Sequence, residues 1–198
     1  MIKMVAFDLF GVVITEGHMV SNALMPLLPQ GTSLTMVKSF YNPYTRGEIS
    51  EETFWQGIGQ PEYKQLRQDF LHTFFLNAEL PKVLQALSGK YRLAILSNLG
   101  KDWADTLITK FQFEQTFSPI IISGKEGCQK PNPAIYERLL VQSQLDADEI
   151  MFIDDRLENL AAAHVLGMKT VHYKHEPDDF DFQADYQIQK MSELQVFL

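Results

Sequence analysis

The sequence predicts an α/β fold: a three-layer sandwich around a parallel, Rossmann-like sheet, with a small helical cap inserted after the first strand. Two observations carry this. From residue 81 onward, short apolar runs alternate with helix-length patterns, the signature of βαβ units and a parallel sheet. Before that, about 65 residues without a strand-like run separate the first apolar run from the second, where an ordinary crossover needs about a dozen.

The elements follow in order. Met4–Phe7 is the first short apolar run, and Leu93–Leu96, Ile120–Ile122 and Ile150–Ile153 are the next three. Each is rich in Val, Ile, Leu or Phe and flanked by polar residues or glycine, as strands buried on both faces are. Lys169–Tyr173 is a fifth, following Gly167. Helices are expected over Pro81–Ser88, Asp102–Phe111, Pro133–Gln142 and Leu157–Leu166. Pro81 and Pro133 fall where a first helical turn tolerates proline, and Gly167 where a helix C-terminus favours glycine. Within the insertion, helical patterns cover Glu51–Ile58 and Glu62–Phe75, with turn signals at Gln30–Ser33 and around Asn42–Ser50. The expected organisation is a core of residues 1–14 and 81–198 and a cap of residues 15–80. The tail from His175 to Tyr186 reads as acidic and irregular, and Gln187–Leu198 returns to an apolar pattern that docks.

Composition narrows the class. At 198 residues, the chain suits one domain with a modest insertion and buries a full core. One cysteine, Cys128, excludes an internal disulfide framework and fits a reducing compartment. A formal net charge of −8 argues against nucleic acid or an anionic membrane as partner, while leaving room for a small anion in a locally positive pocket. No apolar run reaches the roughly 18 residues of a membrane span. Asp8 interrupts the apolar start, so a signal peptide is not expected and a cytoplasmic location is.

Chemistry-bearing residues gather at the strand ends. The first strand delivers Asp8, the second Ser97 and Asn98, and the fourth Asp154 and Asp155, while Lys130 follows the third. Ligands of open parallel sheets bind at these carboxyl ends. Converging carboxylates repel unless a cation or proton neutralises them, and such a hard oxygen set suits Mg²⁺. Ser97, Asn98 and Lys130 would then hold phosphate oxygens. An Asp beside the metal can attack phosphorus to give an aspartyl-phosphate. The set reads as a phosphoryl-transfer site.

Four ordered stretches, Val5-Ala-Phe-Asp-Leu-Phe-Gly-Val12, Leu93-Ala-Ile-Leu-Ser-Asn98, Lys130-Pro-Asn-Pro-Ala-Ile-Tyr136 and Phe152-Ile-Asp-Asp-Arg-Leu-Glu-Asn159, resemble the four motifs of the haloacid dehalogenase superfamily. The resemblance covers nearly all of the core and continues through Ala161–His172 and the Ala184-Asp-Tyr tail. The insertion resembles that superfamily's helical type 1 cap. Its Arg46-Gly-Glu-Ile-Ser50 turn is similar to one in sugar-phosphate phosphatases and in the phosphatase domain of soluble epoxide hydrolases.

The resemblance implies Asp8 as nucleophile and Mg²⁺ ligand, the backbone carbonyl of Phe10 as second ligand and Asp155 as third. It implies Ser97, Asn98 and Lys130 as phosphoryl binders, with Asp154 and Asn159 in support. Of the adjacent aspartates, strand alternation favours Asp155 as the inward one, sending Asp154 the other way. Tyr44, Arg46 and Glu48 are candidate specificity contacts.

Position 10 departs from the pattern. The superfamily's phosphatases carry there a second Asp that protonates the leaving alkoxide and later deprotonates water. Phe10 can do neither, and the missing help is worth roughly 10²- to 10⁴-fold in rate, about 3–5 kcal/mol of barrier. Three readings stay open: an ester that needs little protonation, a substitute proton donor from the cap or a water, or a silent binder of phosphate compounds. An aromatic residue here also resembles the dehalogenase branch, but that branch lacks the paired aspartates that Asp154 and Asp155 provide. His172 and His175 read as structural, because residues three apart on a strand point to opposite faces. Cys128 reads as an inert, partly buried thiol.

Overall fold

A computed structural model describes residues 1–175 and 179–197. Among these, the sheet has six strands: β1 (Met4–Phe7), β2 (Arg92–Ser97), β3 (Ile120–Ile122), β4 (Ile150–Asp154), β5 (Lys169–Tyr173) and β6 (Tyr186–Ile188). All neighbours run parallel in the order β3-β2-β1-β4-β5-β6. The order reverses between β1 and β4, so a crevice opens at their carboxyl ends.

Alternation along the strands builds two apolar layers. Val5, Phe7, Ile95, Met151 and Ile153 pack on one side with the helices α4 (Leu80–Leu87) and α5 (Lys101–Phe111). Met4, Ala6, Leu96, Ile150 and Phe152 pack on the other with α7 (Pro133–Ser143) and α8 (Leu157–Val165). A single-turn helix, α6 (Ser123–Glu126), follows β3.

The insertion is helical, with α1 (Leu34–Thr45), α2 (Glu51–Gly57) and α3 (Lys64–His72) preceded by a short π-helical turn over Met19–Leu24 and a 3-10 turn over Met25–Leu27. Ser33 and Ser50 start α1 and α2 by accepting the backbone N–H of Met36 and Thr53. Helix α1 runs through the stretch expected to turn at Asn42. Pro43 sits in its last turn, where a missing N–H costs little of the ladder, and the turn begins only at Arg46. Helix α3 stops at His72 rather than Phe75, because the chain straightens there to pair with the outgoing strand-like segment. Ile14 bridges Leu76 in antiparallel fashion and Asn77 N–H bonds the Val13 carbonyl.

The insertion is clamped to α5. Glu51 Oε1 accepts the Arg67 Nε–H at 2.6 Å, the Trp103 indole N–H at 2.6 Å and the Trp55 indole N–H at 3.1 Å. Arg67 also donates to the Asp102 carbonyl and to Thr106, and Lys110 donates to the carbonyls of Leu71 and Phe74. Around them, Tyr41, Tyr44, Phe54, Trp55, Phe70 and Trp103 form one aromatic cluster.

The end of the chain docks as expected, and it adds a strand that its sequence did not show. Asp185 binds the Thr170 N–H and hydroxyl and the Lys169 ammonium, which sets Tyr186–Ile188 beside β5 as a sixth strand. A 3-10 helix over Met191–Val196 then buries Met191 and Leu194. Residues 176–178 and 198 of that tail lie outside the described residues. Among the described residues, no helix is long and apolar enough to cross a membrane.

Candidate active site

Register decides which carboxylates meet. Phe7 pairs with Ile153, so Asp8 and Asp154 are the next residues of neighbouring strands and share a face. Two buried carboxylates side by side need a cation. Lys130 supplies it: its Nζ lies 2.9 Å from Asp8 Oδ1 and 2.6 Å from Asp154 Oδ2, over the Phe152 ring. Asp155 borders the cavity, on the side alternation favoured, but Asp154 is not turned away from the site: it lies fully buried beneath it, against Lys130. Each of Asp8, Asp154 and Asp155 offers a carboxylate oxygen, all within 4.8 Å of one another.

The strand-end loops hold these groups. Leu9 N–H donates to Asp8 Oδ1 at 2.6 Å, and Asn159 Nδ2 donates to both oxygens of Asp154 at 3.0 and 3.1 Å. Arg156 N–H also reaches Asp154, at 2.8 Å. Asn98 and Lys130 exchange two bonds, Nδ2 to the Lys130 carbonyl and Lys130 N–H to Oδ1, each 2.8 Å, which fixes the loop that carries the ammonium. Gly11 is required where it stands: its φ is +79°, and a Cβ there would fall 2.4 Å from Asp155 Oδ2. His172 and His175, read from sequence as structural, each contact a site loop: His172 meets the Asp155 carbonyl at 3.2 Å and His175 the Gly11 carbonyl at 2.6 Å.

Electrostatics follow from three acids and one lysine. Burial pushes the Asp8 carboxyl up to about 6; Lys130 pulls it down and Asp154 pushes it further up. Asp155 rises to about 8, through burial first and then the charges of Asp154 and Asp8. Burial lowers the Lys130 ammonium, but Asp154 and Asp8 outweigh it, so it stays charged. Net negative charge on hard oxygens in a polar cleft is the donor chemistry of a divalent cation such as Mg²⁺, so the residues present fit one.

A cavity of about 440 Å³ opens over these groups. Asp8, Phe10, Ser97, Asn98, Lys130, Asp155 and Asn159 all border it. Phe10 is nearly buried, its ring edge-on to Phe74 at 5.0 Å, so it joins the β1 loop to the end of the helical insertion. The three specificity candidates from the turn, Tyr44, Arg46 and Glu48, do not border the cavity. Tyr44 is buried in the aromatic cluster, stacked on Phe54, because its apolar ring is worth more against Trp103 than in water. Arg46 pairs with Glu48 across the outer turn. The insertion presents other residues instead, His18, Lys38, Tyr41, Asn42 and Thr45. Lys38, Tyr41, Asn42 and Thr45 share one face of α1 at helical spacing, a signal the sequence carried but without a partner surface to give it meaning.

Residues 7–173 match the family described as haloacid dehalogenase-like hydrolase. The chain belongs to that family. Among relatives, it is 36% identical over 88 residues to a glyceraldehyde 3-phosphate phosphatase of Pyrococcus abyssi, covering 43% of this chain and 36% of that protein. It is 26% identical over 178 residues to a sesquiterpene phosphatase of Aspergillus oryzae, covering 86% and 89%. The chain thus spans about a third of the Pyrococcus relative, and 29% of a drimenol cyclase of Aspergillus calidoustus that it also matches. In fold, a family enzyme of Bacteroides thetaiotaomicron, solved with magnesium and inorganic phosphate, superposes with a TM-score of 0.74 at 22% identity, over 90% of this chain and 98% of that one. Both the Pyrococcus and the Aspergillus oryzae relative are named as phosphatases.

Proposed function

We propose that the protein is a Mg²⁺-dependent phosphatase that hydrolyses a small phosphorylated metabolite through an aspartyl-phosphate on Asp8. The observation that carries this is the Lys130 ammonium between Asp8 and Asp154, with Asp155 across a cavity that Ser97 and Asn98 also line. Leu9 N–H and Lys130 both engage Oδ1 of Asp8, so Oδ2 is the oxygen oriented to attack phosphorus. Ser97, Asn98 and Lys130 bind the phosphoryl oxygens, with Lys130 offsetting charge as it builds. Asp154 and Asn159 position Lys130. Asp8, Asp155 and the Phe10 carbonyl would hold Mg²⁺, which when bound neutralises the carboxylates and the phosphoryl charge.

Residues 15–80 serve as the cap over a core of 1–14 and 81–198, excluding bulk water and choosing the substrate. The cap side of the cavity carries His18, Ser21, Lys38 and Asn42 beside Met19 and Val20, and its polar members suit a polar organic phosphate. The dehalogenase alternative is disfavoured by the three-carboxylate cluster, which serves a cation rather than a departing halide. A silent phosphate binder is the second reading, favoured by Phe10 alone.

Phosphate release from a panel of monoesters, with Mg²⁺ and with chelator, tests the proposal. Metal-dependent turnover in the native protein that disappears in Asp8→Asn, with thermal stability retained, is the expected result. Turnover that survives Asp8→Asn would remove Asp8 as nucleophile. Binding of phosphate compounds without any release would establish the silent binder.

A further inference from the structure

Phe10 leaves one part of the proposed reaction without a residue, because the departing alkoxide still needs a proton. Its ring is committed to Phe74, so the donor must come from elsewhere on the cavity wall. Of the cap-side residues that border the cavity, Lys38, Tyr41 and His18 have side chains of the kind that exchange protons in catalysis. Lys38 is exposed on α1, and its ammonium is strongly hydrated. His18 is exposed too, at the start of the π-helical turn. Tyr41 is different. Its ring is half-buried, stacked on Trp103 at 6.0 Å and edge-on to Phe54 at 6.5 Å, so the direction of its hydroxyl is fixed by packing.

The fate of its hydroxyl sets it apart from its neighbours. Tyr44 reaches Asp102, Tyr136 donates to the Asn159 carbonyl, and Tyr173 accepts from Asn77. Among the described residues none bonds the Tyr41 hydroxyl, and no buried side-chain polar atom lacks a partner. The Tyr41 Oη therefore opens onto the cavity that Asp8 also borders.

We infer that Tyr41 is the catalytic proton donor of this site, taking the part that a carboxylic acid at position 10 would play. The inference rests on the phosphatase reading. As the Asp8 Oδ2–phosphorus bond forms and the bond from phosphorus to the ester oxygen breaks, the Tyr41 O–H delivers its proton to that oxygen and the alcohol leaves neutral. The phenolate then takes a proton from the water that attacks the aspartyl-phosphate, releasing hydrogen phosphate and restoring both Tyr41 and Asp8. Burial, and after it the charge of Asp8, holds the phenol above its usual range, so it is fully protonated at neutral pH. A phenol of this kind still protonates an alkoxide downhill, and it has no such role toward an aryl oxide that leaves unaided.

The test is Tyr41→Phe, which keeps the ring stack, assayed on p-nitrophenyl phosphate and on an alkyl monoester such as glycerol phosphate. The expected result is a loss of about 10²- to 10³-fold in kcat/KM on the alkyl ester with a change within about threefold on the aryl ester. Thermal stability and binding of inorganic phosphate should match the native protein. Equal losses on both esters, or no loss on either, would overturn the assignment, as would a selective loss in His18→Asn that Tyr41→Phe lacks. In those outcomes the native protein still turns over the aryl ester. Failure of the native protein on both esters is a separate result that removes the phosphatase reading and this inference with it.

Discussion

Replacing Glu51 with Ala should cost more than any surface change in the insertion, and the structure gives the size. One carboxylate oxygen accepts three donors: Arg67 and Trp103 at 2.6 Å each, and Trp55 at 3.1 Å. The Glu51 and Arg67 side chains are only 12% and 20% exposed, so the pair is largely shielded from solvent. Breaking a buried ion pair by removing one partner costs about 3–5 kcal/mol. Arg67 retains the Asp102 carbonyl and Thr106, which cuts its share well below that figure, and the two indole N–H groups left unbonded, at about 1–3 kcal/mol each, make up the difference. A net loss of about 3–5 kcal/mol lowers Tm by about 6–20 °C in a chain of this size. Glu51→Gln keeps an acceptor and should fall between the two proteins. Urea unfolding followed by tryptophan fluorescence reads this directly, because the two tryptophans of the chain are the two indoles involved. Glu48→Ala is the control, since its Arg46 pair is on the surface and should leave the midpoint in place. A loss under about 1 kcal/mol in Glu51→Ala would refute the idea that this carboxylate clamps the insertion to α5.

Gly11→Ala should reduce phosphatase turnover about 10²-fold, because the new methyl group must displace Asp155 and the backbone is in the left-handed region; native turnover would contradict the close approach. Divalent-cation binding should strengthen with pH between about 6 and 8. Asp8 and Asp155 carry protons below their raised values near 6 and 8, and a cation has to displace them. Calorimetry of Mg²⁺ binding at pH 7 in buffers of different ionisation heat should therefore detect released protons, and none would argue against the raised acids. Asp185→Ala should cost about 1 kcal/mol at pH 7, discounted for solvent screening. Burial acts to raise that carboxyl, but Thr170 and then Lys169 hold it down to about 2, so its stabilisation is present above the ordinary value of 3.8 and fades as the pH falls toward 2. Unfolding midpoints of the two proteins that stay equally apart at pH 2 and pH 7 would contradict that assignment.

The sequence by itself determined the sheet and where its chemistry lies. Buried parallel strands must be short and apolar on both faces, so Met4–Phe7, Ile120–Ile122 and Lys169–Tyr173 were legible to the residue, and the polar residues after such strands had to be at the carboxyl edge. The tail strand was hidden for the opposite reason. Tyr186–Ile188 has three residues and one polar in the middle, and it exists because Asp185 is tied to Thr170, a contact between residues 15 apart in sequence. Tertiary structure alone decided where the acids lie relative to one another. Register placed Asp154 beside Asp8, where local alternation had turned it away, because alternation fixes a face only relative to a neighbouring strand whose register is known. The same limit governed the insertion. Tyr44 and Tyr41 stand three apart on one helix, and only the packing of Trp103 and Phe54 against them buried the first and left the hydroxyl of the second facing the cavity.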